Sequence, residues 1–146
     1  MQVTFKLTRP QAKAPSYATT GSAAADLYAA TEEAVTLQPG QRAMIPTGIA
    51  IQLPDVGYVA LVCARSGLAV KHGLALSNGV GVIDSDYRGE IQVGLINQSQ
   101  TAYTIQPGER IAQLMIMPVV QAAFVQAESL DETERGSGGF GSTGRL

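Results

Sequence analysis

The residues best suited to chemistry stand in the run GVIDSDYRGEI at residues 81–91. Asp84 and Asp86 put two carboxylates around a turn, with Tyr87 at its tip and Gly81 and Gly89 as flanks. Glycine lets a ligand approach the backbone closely. A carboxylate held at water distance can act as a general base. Asp is also an ordinary turn residue, so one such acid needs no function. Two acids with a tyrosine between glycines are a stronger signal. Just upstream, the Asn78 amide both donates and accepts, as reading a base edge or holding a water beside it requires.

Four further segments carry groups with chemical use. Arg65-Ser66-Gly67 follows an apolar run and opens a short helical stretch. A guanidinium, a hydroxyl and free amides suit phosphate, although the same tripeptide also suits a plain helix cap. Gln113 lies among Ile111, Ala112, Leu114 and Met115. A buried amide there needs partners, and simple alternation places it on the side of Ile111. Asp26 sits in the small-residue run Ala23-Ala24-Ala25, as either an exposed strand residue or a site residue. Arg135 begins a tail with five glycines, at 136, 138, 139, 141 and 144, around Phe140 and Ser142. Such amides suit anionic oxygens. No Gly-Lys-Ser/Thr follows, so the tail is not a Walker A loop. Phe140 has no apolar neighbours in its segment, which suits stacking on a flat ligand.

Other chemistries are excluded. His72 is the single histidine, so no histidine-based metal cluster is available, and it reads as a surface or structural residue, which argues against a Ser-His-Asp arrangement. Cys63 is the single cysteine, so no intrachain disulfide forms, and its apolar surroundings read as core. The net charge of −2, without a Lys/Arg run, argues against binding a nucleic-acid polymer. No uncharged stretch is free of Gly, Pro, Gln and Asn for long enough to span a membrane, and the first ten residues carry no apolar signal core. These features predict a soluble cytoplasmic protein.

The elements that must position these groups are short. Strands are expected at residues 3–7, 25–29, 34–37, 43–53, 58–64, 81–83, 91–97, 103–105 and 111–120, with one helical turn at 66–71. Many short strands at close spacing predict an all-β sandwich, barrel or jelly roll. The echo of Gln38-Pro39-Gly40 in Gln106-Pro107-Gly108 predicts two equivalent type II corners of a two-sheet fold. Residues 81–91 are expected to fold as a hairpin. Residues 1–130 form the predicted domain. Residues 131–146 are too glycine-rich to order alone and form a flexible arm.

Taken together and in order, from Ala24 to Gly144, the five segments resemble the five motifs of the homotrimeric dUTP pyrophosphatase (dUTPase) family. The resemblance implies a distorted jelly-roll or β-clip subunit with one short helix, and three active sites at subunit contacts. It implies hydrolysis of dUTP to dUMP and pyrophosphate, with Mg²⁺ held by the triphosphate. Asn78 and the backbone of Gly81, Val82 and Ile83 would hold uracil, with Gln92 beside them, and Tyr87 would exclude a 2′-hydroxyl. Asp84 would activate the attacking water. Arg65, Ser66, Gly67 and Gln113 would contact the phosphates or the water. Asp26 would support Arg65 or the hydrated metal without ligating it directly. Arg135, Phe140, Gly141 and Ser142 would close over a neighbour's site. Ala24 and Ala25 stand where the first motif commonly has glycine and a larger apolar residue.

The nearest rival family is dCTP deaminase, which carries a catalytic Glu in the strand after the hairpin. The matching position here is Gly94, so the expected deaminase base is missing. A non-catalytic nucleotide sensor would not need the carboxylate of Asp84, and a purely structural β-domain would not need the tail.

Overall fold

Both Gln-Pro-Gly segments turn as expected. The computed structural model describes residues 1–139. Gly40 and Gly108 take φ values of +76° and +74°, the left-handed region that a type II turn requires of its third residue. The Gln41 amide donates to Gln38 O at 2.9 Å and the Glu109 amide to Gln106 O at 3.0 Å. The equivalence extends to side chains. Gln41 Oε1 accepts from the Gln38 amide at 2.9 Å, and Glu109 Oε2 accepts from the Gln106 amide at 2.8 Å.

The described strands are β1 (Thr4–Leu7), β2 (Ala25–Tyr28), β3 (Val35–Leu37), β4 (Arg42–Pro46), β5 (Ile49–Gln52), β6 (Tyr58–Ala64), β7 (Leu74–Leu76), β8 (Gly81–Ile83), β9 (Gln92–Asn97), β10 (Tyr103–Ile105) and β11 (Arg110–Pro118). The helix α1 (Ser66–His72) lies between β6 and β7. All pairings are antiparallel: β2-β11-β6-β8, β4-β9-β7, β1-β5 and β3-β10. The corners leave the paired strands β3 and β10 for different sheets, one into β4 and the other into β11. Leu27, Ala60, Val62 and Leu114 from the first sheet meet Ile45, Leu74, Val93 and Leu95 from the second in one buried cluster. The result is the predicted all-β, jelly-roll-like sandwich. Among the described residues, no helix is long and apolar enough to cross a membrane.

Three expectations change. The run 43–53 is two strands, because Gly48 takes φ +68° and turns the chain between β4, which pairs with β9, and β5, which pairs with β1. The sequence reading missed β7. It has three residues and follows α1 directly through Gly73, whose left-handed φ of +68° ends the helix. Residues 81–91 do not make a strand-paired hairpin. β8 pairs with β6 while β9 pairs with β4 and β7, so the segment crosses from one sheet to the other.

One buried polar side chain holds the first corner's neighbourhood together. Asn97 donates to Leu37 O and Thr101 O, both at 2.8 Å, and its Oδ1 accepts from the Ser99 amide and hydroxyl. Its side chain is therefore satisfied, as burial demands. Beside the other corner, the Tyr103 hydroxyl donates to Glu109, and the His72 ring packs 5.1 Å from the Tyr103 ring. Burial, then the bond to Glu109 and its negative charge, push the Tyr103 phenol up to about 12. The raised value makes this contribution to stability fully present below pH ~10, and it is lost as pH rises through about 12. Alkaline titration of the tyrosinate absorbance should show a late step at about pH 12. Tyr103→Phe should remove that late step, and its persistence would assign it to another residue.

Candidate active site

Asp26 is a charged residue that β2 buries, and its partners come from two other elements. Its amide donates to Ser16 O at 2.8 Å. Oδ1 accepts from Arg65 Nε at 2.9 Å and Oδ2 from Arg110 Nη1 at 3.2 Å. Arg65 Nη1 also donates to Arg110 O at 3.3 Å. Cross-strand register places Gln113 opposite both Asp26 and Cys63, so the three residues form one row on one face of the sheet. Gln113 Nε2 donates to Ala64 O at 2.8 Å.

Gln113 reaches that face for a reason the sequence did not show. The β2–β11 register shifts between Arg110 and Ala112, so Ile111 sits in a bulge. Ile111 and Ala112 are both buried, and alternation restarts at Ala112. Gln113 is therefore not on the side of Ile111 in the strand's regular alternation; it faces away from Ala112 and Leu114. The capping alternative for Arg65-Ser66 also changes. Arg65 itself is the N-cap of α1, in an extended conformation, and no side chain caps the helix. Asp26, Arg65, Ser66, Gly67 and Gln113 line one open recess of about 400 Å³, with Ala23 and Ala24 on its wall. The Arg65 guanidinium, the Ser66 hydroxyl and the Gln113 amide make this recess suited to anionic oxygens.

A second group of predicted residues meets elsewhere. Asn78, Gly81, Val82, Ile83 and Gln92 line a narrow recess of about 130 Å³, closed by Val62, Val93 and Gly94. Its walls are glycine for want of space. A Cβ on Gly81 would stand 3.0 Å from Val62 Cβ, and one on Gly94 would stand 2.6 Å from Ser77 Oγ. The adjoining recess of about 330 Å³ shares Val82, Ile83 and Gln92 and adds Asp84 and Tyr87. The Tyr87 amide closes a turn onto Asp84 O at 3.2 Å. Arg88 Nη1 ties that turn from inside by donating to Ser85 O and Tyr87 O. Asp84 and Tyr87 are exposed, and Asp86 lines neither recess.

The predicted residues thus form two groups that share no wall within one chain. Arg135 joins neither, since its Nε donates to Gly138 O at 3.0 Å and its side chain is exposed. Phe140, Gly141 and Ser142 lie outside the described residues. Sequence reasoning gave no role to Arg110, the second partner of Asp26. Its one signal was its place at the end of the Gln-Pro-Gly-Glu-Arg corner.

An antiparallel sandwich with an arginine-lined recess and a glycine-walled recess beside a carboxylate defines a nucleotide-binding class of β-protein. The dUTPase family model matches residues 10–144. The deoxyuridine 5′-triphosphate nucleotidohydrolase of Desulfitobacterium hafniense is 58% identical over 132 residues, covering 90% of this chain and 87% of the relative. That of Burkholderia cenocepacia is 56% identical over 131 residues, covering 90% and 88%. A mutant dUTPase of Staphylococcus bacteriophage 80alpha, solved with dUpNHpp, superposes with a TM-score of 0.89 at 30% identity, covering 99% of each chain. A mutant dUTPase from phage phi11, described with a structural Mg(II) ion, has a TM-score of 0.81 at 25% identity, covering 90% of this chain and all of that one. The chain belongs to the dUTPase family.

The double pairing of Asp26 is open to direct test. Asp26→Asn keeps the shape but removes the charge from both contacts, and should cost roughly 1.5–3 kcal/mol of stability. Urea unfolding measures this, and an unchanged midpoint would show that the two arginine contacts add nothing to stability.

Proposed function

We propose that the protein hydrolyses dUTP to dUMP and pyrophosphate in the cytoplasm, keeping uracil out of DNA and supplying dUMP for dTTP synthesis. The observation that carries this reading is the pair of adjoining recesses built from residues 78–92. The narrow one has the size and backbone-rich lining of a pyrimidine pocket, and Asp84 stands at the rim of its neighbour. Uracil pairs with the Asn78 amide and the backbone of Gly81, Val82 and Ile83, beside Gln92. Tyr87 lies against the deoxyribose and leaves no room for a 2′-hydroxyl.

Asp84 orients a water and takes its proton as the water oxygen bonds to the α-phosphorus. The bond from that phosphorus to the bridging oxygen breaks, and pyrophosphate leaves. Such transfer depends on positioning and charge neutralisation, so the absence of a catalytic histidine or cysteine is no obstacle. Arg65, Ser66, Gly67 and Gln113 supply donors to the phosphates and the water, and Asp26 holds Arg65 in place. Mg²⁺ fits as an ion carried by the triphosphate. Both Asp26 oxygens are engaged by arginines, and no group of three or more His, Cys, Asp or Glu side chains converges among the described residues. Bound there, the ion would neutralise phosphate charge.

The reading includes a homotrimer with shared sites, because the phosphate recess and the base recess do not share a wall in one chain. The segment after β11 supports it. Val120, Phe124, Val125 and Leu130 are between 87% and 98% exposed, more apolar surface than one isolated chain has reason to leave in water. Residues 1–130 act as the catalytic body. Residues 131–146 act as an arm bringing Arg135 to the γ-phosphate and Phe140, with Gly141 and Ser142, over uracil in a neighbouring site. Deamination is disfavoured by Gly94, since the space beside it is already taken by Ser77.

Pyrophosphate release from dUTP, dTTP, UTP and dCTP tests reaction, base and sugar together, and dUTP should be strongly preferred. Asp84→Asn should retain nucleotide binding and lose about 10²-fold or more in kcat. Near-normal turnover would remove Asp84 from the role of base. Truncation after Glu134 should leave the melting temperature unchanged and cripple hydrolysis. Full activity in the truncated chain would end the arm's role.

A further inference from the structure

The loop that carries Asp84 and Tyr87 has a polar anchor in Glu90, which lines the same recess and was given no role by the sequence. Glu90 Oε1 accepts from Arg9 Nε and from the Gly48 amide, each at 2.8 Å. Its side chain is only 16% exposed, and that of Arg9 is 42% exposed. Burial pushes the Glu90 carboxyl up, but Arg9 and the Gly48 amide outweigh this and hold it below the ordinary carboxylate value. The anchoring turn is itself fixed. Thr8 donates to Gly48 O at 2.8 Å, and a Cβ on Gly48 would stand 2.4 Å from Ala12 Cβ. Next to Glu90, Ile91 is pinned to the same turn, donating to Ile49 O at 2.7 Å and accepting from Thr47 Oγ1 at 2.6 Å.

The other end of this chain of contacts is the Tyr87 ring. Its hydroxyl donates to the main-chain carbonyl of Glu90 at 3.1 Å. The ring lies on Gly89, where a Cβ would meet the hydroxyl oxygen at 2.3 Å. Among the described residues, the hydroxyl bonds to a backbone atom of the residue whose carboxylate Arg9 and the Gly48 amide hold. Tyr87 is 44% exposed and gets little fixing from packing.

We propose that Glu90, held by Arg9 and the 47–49 turn, is a positioning residue for sugar selectivity: it fixes the carbonyl that keeps the Tyr87 ring where a ribose 2′-hydroxyl would go. This rests on the reading of Tyr87 given under Proposed function. Glu90 acts through Tyr87 and not on the reacting atoms, so it should govern dUTP against UTP and leave dUTP against dCTP alone. With the anchor cut, the ring can swing off Gly89 and admit the hydroxyl.

The test measures kcat/KM for dUTP, UTP and dCTP in the full chain and in Glu90→Gln, Arg9→Ala, Tyr87→Ala and the Glu90→Gln/Tyr87→Ala double variant. Glu90→Gln should lower dUTP/UTP discrimination about tenfold, mainly by lowering KM for UTP, with the dUTP/dCTP ratio unchanged. Arg9→Ala should shift it in the same direction, and Arg9→Lys should restore part of it. The exposed Arg9 makes this arm independent of any folding defect in Glu90→Gln. In the Tyr87→Ala background, Glu90→Gln should add nothing further. If Tyr87→Ala itself leaves sugar discrimination intact, the reading of Tyr87 falls. If Tyr87→Ala collapses discrimination while Glu90→Gln and Arg9→Ala preserve it, the positioning role alone is overturned. An equal loss against dCTP would likewise overturn it, since that is the mark of a general loosening of the loop.

Discussion

A carboxylate taken out of water must be paired, and Asp26 is the group on which the anionic recess depends. Leaving a buried charge without a partner costs several kcal/mol. Asp26 meets that demand with Arg65 from the exit of β6 and Arg110 from the start of β11. Those contacts tie the edge strand β2 to the two strands beyond it. They also use Arg65 Nε and Nη1 on protein acceptors, while the side chain lines the recess. The bulge at Ile111 serves the same end. It lets β11 present Arg110 to Asp26 and then turn Gln113 onto the Asp26 row three positions later.

The two adjoining recesses built from residues 78–92, proposed for base and sugar, rest on a different principle. Their shape comes from backbone and from missing side chains: Gly81 and Gly94 sit where a Cβ would collide with Val62 or Ser77. Walls made this way move little, which suits recognition of a flat ring. The wider recess is lined by Tyr87, a large side chain on a sheet-to-sheet crossing, and such a crossing needs an anchor of its own. Glu90, Ile91 and the 47–49 turn provide it through bonds made largely by main-chain groups.

Features set by local chemistry were legible in the sequence. Both Gln-Pro-Gly corners, the short helix and most strands follow from turn residues and apolar runs within a few positions. Features set by distant partners were not. Arg110 gains its role from Asp26, 84 residues away, and Glu90 from Arg9, 81 residues away. Neither spacing leaves a local pattern. The run 43–53 looked continuous because both of its halves are apolar, and only the left-handed Gly48 divides them. The face of Gln113 was misjudged, because alternation counted from Ile111 ignores the bulge. Three-residue β7 is too short for periodicity to register.

These differences share one cause. Each segment of the proposed site is short and chemically plain, and each gains meaning from an element far along the chain. Arg65 without Asp26 is one more surface guanidinium, and Tyr87 without the Glu90 carbonyl is a half-exposed ring on a loop. A sandwich with many short antiparallel strands suits such a site, because every strand end is a rigid attachment point for a few functional residues. It also leaves the two recesses on separate parts of one subunit. On the proposed reading, bringing base and triphosphate together in one site calls for a surface from outside the chain, and among the described residues the apolar side chains after β11 have little reason to remain in water.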